Sequence, residues 1–285
     1  MKVMGEYYKE LNRSYDAMKT HKAWTGYRSG IDTWRGPSTG GRVAIVGAGN
    51  LNDLNLKSWL DENVDLHLFD ADQQAMKNGV DRQAWTGKVA YHQVEFTGLD
   101  DKNFFEELSV LMAHQDITGI ERFLENTKVE PDWTKESDFD SIIITPIYTQ
   151  LVLGQVMTMI EHYRLEPHQK RLVPAVLKFM AQLIDQVNSS LLKLLKGGGQ
   201  CYAWSDILEY HSSHVDFERI ACMDQKQLKQ LVHDYEKSYG QGIGNYGIAN
   251  LCSHLAHEKD SHYLTWPFDD KRLMVVELIR GVVTA

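Results

Sequence analysis

The sequence predicts an α/β protein built on a doubly wound, mostly parallel sheet. Short uninterrupted apolar runs, typical of parallel strands that are covered on both faces, alternate with amphipathic helical patterns along the chain. The last two apolar runs are separated only by Pro267-Phe-Asp-Asp270. Because so short a connection cannot join two parallel strands, one strand of this closing hairpin is expected to run antiparallel to the rest of the sheet.

The chain has 285 residues. Residues 1–40 are expected to form a helical extension or lid, and residues 41–285 one large domain. Apolar side chains recur in the extension at spacings of four, four and three, namely Tyr7, Leu11, Tyr15 and Met18. The extension is also rich in aromatic residues and carries Arg28 and Arg35. Such side chains could cover a cofactor cleft and exclude water, or the segment could be a plain packing or dimer element.

Four strands are predicted in the first half of the domain: Arg42–Val46, Val64–Phe69, Val89–Val94 and Phe139–Thr145. Helices are expected between them, at about 53–62, after Asp72, at about 101–114 and 118–127, and again at about 148–163.

A long amphipathic helix is predicted near Pro174, which is tolerated in a first helical turn. Its apolar stripe comprises Val176, Phe179, Met180, Leu183, Val187 and Leu191. Gly197-Gly-Gly199 is expected to stop it before a fifth strand, Gln200–Trp204. Further helices are expected at about 224–238 and 247–257, and the closing hairpin pairs His262–Trp266 with Leu273–Val283.

A glycine turn follows the first strand, at the edge of the sheet where α/β proteins bind ligands. Gly47-Ala-Gly49 comes directly after Val46, and Asp70 ends the second strand about 20 residues later. Glycines allow a ligand to approach the backbone, and a carboxylate at that spacing can accept the ribose hydroxyls of a nucleoside. The pattern favours a nucleoside ligand, the alternative being a tight turn followed by a helix-capping Asp.

The residues after the turn distinguish between nucleoside ligands. A dinucleotide fingerprint requires a third glycine where this chain has Asn52, and Asp53 follows it. A carboxylate there would repel a pyrophosphate but suits a ligand with a positive charge and no phosphate. S-adenosylmethionine meets that description, so the charge pattern argues against NAD.

Two motifs carry a family resemblance: Val43-Ala-Ile-Val-Gly-Ala-Gly-Asn-Leu-Asn-Asp53 and Leu66-His-Leu-Phe-Asp70. They resemble the first and second motifs of the class I, Rossmann-like S-adenosylmethionine-dependent methyltransferases, although the first lacks a third glycine and an acid before Gly47. The resemblance implies a methyltransferase with S-adenosylhomocysteine as a product. It also implies a set of cofactor-binding residues: Gly47, Ala48, Gly49, Asn50, Asp53, Asp70, Ala71, Glu95, Phe96 and Thr145.

The methyl acceptor is expected to be a small molecule that the motifs do not identify. Thr145-Pro-Ile-Tyr148 matches only two positions of the Asn/Asp-Pro-Pro-Tyr element of amino-group methyltransferases. Tyr148 and Gln150, just past the fourth strand, are predicted to contact the acceptor, the alternative being a tyrosine packed in the core. A non-catalytic nucleoside-binding protein and, less favoured, an NAD-dependent oxidoreductase remain as alternative functions.

Composition excludes several other classes. A net charge of −9 disfavours an extended nucleic-acid surface. Three distant cysteines without a CxxC pair favour a reducing, cytoplasmic location, and neither a secretory signal nor a membrane span is expected. A metal site is not expected either, since the spaced histidine pairs lack a metal-binding motif: His211 with His214, and His254 with His257. A homodimer is left open.

Overall fold

The computed structural model describes residues 6, 8–10, 13, 24–35, 40–129, 131, 136–213, 217–256 and 261–283. The strands are β1 Arg42–Val46, β2 Asp65–Asp70, β3 Val89–Gln93, β4 Phe139–Ile144, β5 Leu195–His211, β6 Leu255–Ala256, β7 His262–Pro267 and β8 Arg272–Val283. The helices are α1 Thr25–Arg35, α2 Leu56–Trp59, α3 Gln73–Arg82, α4 Phe104–Ala113, α5 Ile117–Asn126, α6 Leu153–His162, α7 Gln169–Leu192, α8 Phe217–Ala221, α9 Gln225–Tyr239 and α10 Ile243–Ser253. Short 3₁₀ turns occupy Asp100–Lys102, Tyr148–Gln150 and Glu166–His168.

The eight strands form one sheet in the order β3-β2-β1-β4-β5-β8, with β6 and β7 both paired to the outer edge of β8. β1 to β5 are parallel to one another, whereas β8 runs antiparallel to β5, β6 and β7. The predicted sheet and its antiparallel closing strand are therefore confirmed. This order reverses direction at β1 and β4, so a crevice is expected beyond their carboxyl ends.

Both faces of the sheet are covered, which explains why the central strands read as unbroken apolar runs. Ala44 and Val46 of β1 point into one core with α4, α5 and α7, while Val43 and Ile45 point into the other core with α1 and α3. The predicted stripe of α7 is buried along its whole length. None of the helices in the described ranges is long and apolar enough to cross a membrane.

Several local predictions are wrong. The helix expected at about 53–62 is reduced to the four residues of α2, because residues 49–54 form turns and irregular backbone. α7 starts at Gln169, so Pro174 lies inside the helix and not in its first turn. The glycines 197–199 do not end α7; they lie within β5. Between the pairs Phe139–Leu195 and Ser141–Gln200, β5 contains extra residues relative to β4, and the glycines fill this irregularity.

The N-terminal extension is described only in part. Residues 6, 8–10 and 13 have helical backbone, whereas Tyr7, Leu11, Tyr15 and Met18, on which the predicted helical spacing rests, lie outside the described residues. α1 packs against β7 and buries Tyr27 and Ile31 in the second core.

Candidate active site

The turn after β1 passes closely between the neighbouring strands. Gly47 has a φ of +73°, and the amides of Gly47 and Ala48 both donate to the Phe69 carbonyl of β2, at 2.9 and 3.2 Å. A Cβ at Gly47 would lie 2.6 Å from Thr145 Oγ1 and would overlap Ile147. Both the backbone conformation and the space therefore require glycine at position 47.

A third left-handed residue in the turn, after Gly47 and Gly49, is not a glycine. Leu51 has a φ of +53°, a conformation that costs a side chain on the order of 1 kcal/mol. The Leu51 side chain is only 2% exposed and belongs to the core beside α3. Burial of this apolar side chain offsets the backbone cost, which explains how the turn accommodates a leucine at position 51.

Asp70 joins the ends of β1 and β2. One carboxylate oxygen accepts the Gly49 amide at 2.8 Å, and the other accepts the Asp72 amide at 2.9 Å. Asp72 in turn caps α3 by accepting the amides of Gln74 and Ala75. The acid that the sequence assigned to a ribose thus also fixes the glycine turn, through charge-assisted hydrogen bonds that are stronger than neutral ones.

A cleft of about 740 Å³, its open mouth included, lies over the ends of β1, β2 and β4. Ten residues predicted from the sequence line it: Gly47, Ala48, Gly49, Asn50, Asp53, Asp70, Ala71, Phe96, Thr145 and Gln150. The structure thus brings together most of the predicted site.

Two predicted residues do not line the cleft. Tyr148 is fully buried, and its hydroxyl donates to Asn188 Oδ1 of α7 at 2.8 Å, so the prediction that it contacts an acceptor is corrected to a packing role. The Glu95 carboxylate turns back into its own loop, where it accepts from the Thr97 amide and hydroxyl and from the Leu99 amide. Burial raises the pKa of Glu95.

Three aromatic residues line the cleft in addition to the predicted set. Tyr8 donates its hydroxyl to the Leu151 carbonyl at 2.9 Å, and Trp24 donates its indole N–H to the Phe268 carbonyl at 3.0 Å. The aromatic residues of the N-terminal extension, which include Tyr8 and Trp24, indicated that this segment could cover a cleft. Nothing in the sequence signalled the third, Trp266 at the end of β7, because its position depends on how β8 pairs with β5 and β7.

Two carboxyl groups with raised pKa values lie in this region, Asp53 on the cleft wall and Asp206 in β5. Burial raises the pKa of Asp53 to about 7; the charge of Arg28 lowers this pKa and that of Asp206 raises it. Burial likewise raises the pKa of Asp206 to about 6, even though the Thr149 hydroxyl lies 3.2 Å from each of its carboxylate oxygens. Both side chains keep intermediate exposure to solvent, which for Asp53 reflects its position on the cleft wall. The region can accept a proton or bind a cation.

A group of potential metal ligands lies away from the cleft, where His67 of β2 and His92 of β3 have stacked rings and ring nitrogens 2.9 Å apart. A carboxylate of Glu136 lies near both rings but is paired with Arg42, which compensates its charge without a metal ion. Burial lowers the pKa of His92, as does the neighbouring His67. Of the histidine pairs noted in the sequence, His214 and His257 lie outside the described residues.

No protein-family model matches the chain, and no curated protein matches it significantly. Among solved structures, the N-methyltransferase NodS from Bradyrhizobium japonicum WM9 is 11% identical over 95% of this chain and 98% of its own, with a TM-score of 0.38. An O-methyltransferase family protein from Burkholderia thailandensis is 10% identical over 98% of this chain and 62% of its own, with a TM-score of 0.44. A methyltransferase from Pyrococcus furiosus is 10% identical over 95% of this chain and 97% of its own, with a TM-score of 0.35.

Similarities as low as these say nothing about the activity of this chain. Its fold is established by the order and direction of its strands. Five parallel strands in the order 3-2-1-4-5 are followed by a long antiparallel strand, which lies between β5 and the edge strands β6 and β7. The glycine turn and its acid lie at the carboxyl ends of the first two strands. The chain therefore has the α/β fold of the class I, Rossmann-like methyltransferases.

Proposed function

We propose that the cleft binds S-adenosylmethionine and that the protein is a methyltransferase acting on a small-molecule acceptor. The observation that carries the proposal is the glycine turn clamped by Asp70, with the carboxyl group of Asp53 on the wall of the same cleft. The turn offers close backbone approach to a nucleoside. The carboxyl group disfavours a phosphate and suits a cation.

The residues of the cleft fit the nucleoside and the positively charged sulfur of that cofactor. Asp70, Ala71 and Phe96 lie on the β2 side, where a carboxylate and an aromatic ring suit a ribose and a base. Asp53 has one carboxylate oxygen, Oδ1, that is buried and has no hydrogen-bond partner among the described residues. A buried carboxylate in that state is stabilised by a positively charged ligand.

When bound, the cofactor supplies a methyl group on a positively charged sulfur. The chain has to align an acceptor with that group and exclude water, and alignment alone can lower a barrier by roughly 7–11 kcal/mol in favourable cases. Tyr8 and Trp24 contribute cleft wall from the N-terminal segment, which favours a role for residues 1–40 as a lid. Gln150 places an amide at the cleft, where it can orient an acceptor.

Calorimetric titration of the full chain with S-adenosylmethionine, S-adenosylhomocysteine and NAD tests the ligand class. We expect the first two to bind and NAD not to bind. Asp70→Ala should weaken binding of S-adenosylhomocysteine by roughly 1.5–3 kcal/mol, the range for hydrogen bonds to a charged group. Asp81→Asn, a change of an exposed aspartate in α3, is the matched control and should leave the affinity unchanged. Binding of NAD without the sulfonium compound would refute the proposal.

The alternative with most support on the same fold is a nucleoside-binding protein without transfer chemistry. It is favoured by the burial of Tyr148, which leaves Gln150 as the one predicted acceptor contact on the cleft wall. Incubation with S-adenosylmethionine and a mixture of amines, alcohols and thiols separates the two. Formation of S-adenosylhomocysteine above the rate without protein supports transfer, and binding without turnover supports the alternative.

A further inference from the structure

Four buried polar atoms on one side of the cleft lack hydrogen-bond partners among the described residues. They are Asp53 Oδ1, Tyr27 Oη, Trp204 Nε1 and Trp266 Nε1. Leaving a buried polar group without a partner is costly, so four such atoms in one region are suited to a ligand that supplies partners.

The four groups lie together. The rings of Tyr27 and Trp266 are stacked with centroids 4.7 Å apart, and Asp53 and Trp266 line the same cleft. Tyr27 is 2% exposed, and burial raises the pKa of its hydroxyl, as do the charges of Asp53 and Asp206. The indole N–H of Trp204 also acts on this hydroxyl and lowers its pKa, although the two atoms do not meet the full geometry of a hydrogen bond.

The charge of the region is negative. Asp53 and Asp206 interact unfavourably with each other, and Arg28 is the cation that acts on Asp53. No ion pair joins Arg28 to Asp53 within the described ranges; the guanidinium donates instead to the Asn52 carbonyl at 3.1 Å. With both carboxyl groups ionised, the described residues place one cation, Arg28, against two anions, so a positively charged group from a ligand would complete the charge balance.

Aromatic rings form the adjoining wall. Trp24 meets Trp266 edge-on with centroids 4.6 Å apart, and Phe268 packs against both tryptophans, at 5.5 Å from Trp24 and 5.0 Å from Trp266. The faces of such rings attract organic cations, and the attraction is strongest for tryptophan. Carboxylates beside tryptophan rings select an ammonium group attached to an apolar body, which neither a metal ion nor an alcohol provides.

We propose that this side of the cleft binds an organic amine as its ammonium ion. Asp53, with Asp206 behind it, provides the negative charge; Trp24 and Trp266 form the wall, and the Tyr27 hydroxyl lies beside them. The inference that the amine is also the methyl acceptor rests on the proposed function. The inference that the amine binds at this site does not.

The acid pair can also generate the reactive form of the amine. One N–H bond of the ammonium group breaks, the proton forms an O–H bond with a carboxylate oxygen of Asp53, and the nitrogen keeps the electron pair. The products are a neutral amine and a neutral carboxyl group, and no further reactant is needed. A carboxyl group whose pKa lies near neutrality is suited to this exchange.

The amine site adjoins the proposed cofactor site, and Asp53 is common to both, but their other residues lie on different sides of β1. Asp70 belongs to β2, whereas Asp206 and Trp266 belong to β5 and β7, beyond β1 and β4 in the strand order. An amine is therefore expected to bind together with the nucleoside and not in its place.

Tryptophan fluorescence titrations with butylamine and with 1-butanol, which matches it in shape but has no charge, test the site. We expect the amine to bind at least tenfold more tightly than the alcohol, with and without saturating S-adenosylhomocysteine. Asp206→Asn should raise the Kd of butylamine about tenfold and leave that of S-adenosylhomocysteine within twofold. Asp81→Asn, the same substitution at an exposed position of α3, should alter neither Kd.

Circular dichroism and binding of S-adenosylhomocysteine establish that each variant is folded. If Asp206→Asn does not fold, Tyr27→Phe replaces it, since it removes only a hydroxyl; it should weaken butylamine binding severalfold. Equal affinity for amine and alcohol, or no effect of the variant that folds, would overturn the inference. Displacement of butylamine by S-adenosylhomocysteine would overturn it as well, because the acids would then serve the amino-acid end of the cofactor. Amine binding without any nucleoside binding would refute the proposed function alone.

Discussion

Replacing Asp53 with Asn is expected to make the protein more stable above neutral pH and to weaken its ligand binding. In the folded chain the carboxyl group is buried, its Oδ1 has no hydrogen-bond partner among the described residues, and Asp206 lies near enough to disfavour its ionisation. Asn is neutral at every pH and close in shape. The substitution therefore removes an electrostatic cost without opening a cavity.

The sign and size of the effect follow from the raised pKa. Well below pH 4 the carboxyl group is neutral in both the folded and the unfolded chain, so it makes no difference to stability. As the pH rises from the ordinary value of 3.8 through the folded value of about 7, the unfolded chain ionises first and the folded state loses stability. About three pKa units at 1.36 kcal/mol each give a loss of roughly 4 kcal/mol above pH 7, which Asp53→Asn avoids.

Urea unfolding of both proteins at pH 4.5 and pH 8 measures this difference. The free energies of unfolding should differ by about 1 kcal/mol at pH 4.5 and by roughly 4 kcal/mol, in favour of the variant, at pH 8. Asp81→Asn, a change of an exposed aspartate, is the control and should give a difference near zero at both pH values. A variant that is less stable at pH 8, or a difference that does not depend on pH, would refute the reasoning.

Three further substitutions test other parts of the site. Gly47→Ala should lower the unfolding free energy by at least about 1–2 kcal/mol and abolish binding of S-adenosylhomocysteine, because the left-handed turn excludes a Cβ. Normal binding measured by calorimetry would contradict this. Tyr8→Phe removes a buried hydrogen bond from the cleft wall and should speed dissociation of S-adenosylhomocysteine about fivefold in stopped-flow measurements, whereas an unchanged rate would count against a lid. Tyr148→Phe leaves the amide oxygen of Asn188 with one partner fewer and should cost about 1–2 kcal/mol in urea unfolding without changing cofactor affinity; a loss of affinity at unchanged stability would restore a role at the site.

The cofactor half of the site could be predicted because it is built from short stretches of chain. A strand, a glycine turn and an acid at the end of the next strand occupy about 30 consecutive residues, and parallel pairing brings Gly49 and Asp70 together. The direction of a side chain after a strand is not fixed in this way. The sequence places Tyr148 beside Gln150, but a 3₁₀ turn sends the first into the core and the second to the cleft.

The acidic and aromatic half of the site depends on contacts between distant parts of the chain. Tyr8 reaches the cleft by donating to Leu151, 143 residues away in sequence, and Trp266 reaches it because β7 pairs with β8, which pairs with β5. Asp206 acquires its raised pKa only when the fold buries it, and in its folded position it also raises the pKa of Asp53.

By itself the sequence determined the fold class, the glycine turn and the acid that holds it, because hydrophobic periodicity and backbone requirements are local properties. Only the tertiary structure decided which side chains face the cleft and which carboxyl groups ionise with difficulty. Burial and electrostatic interaction depend on everything that surrounds a group in space, and most of those neighbours are remote in sequence.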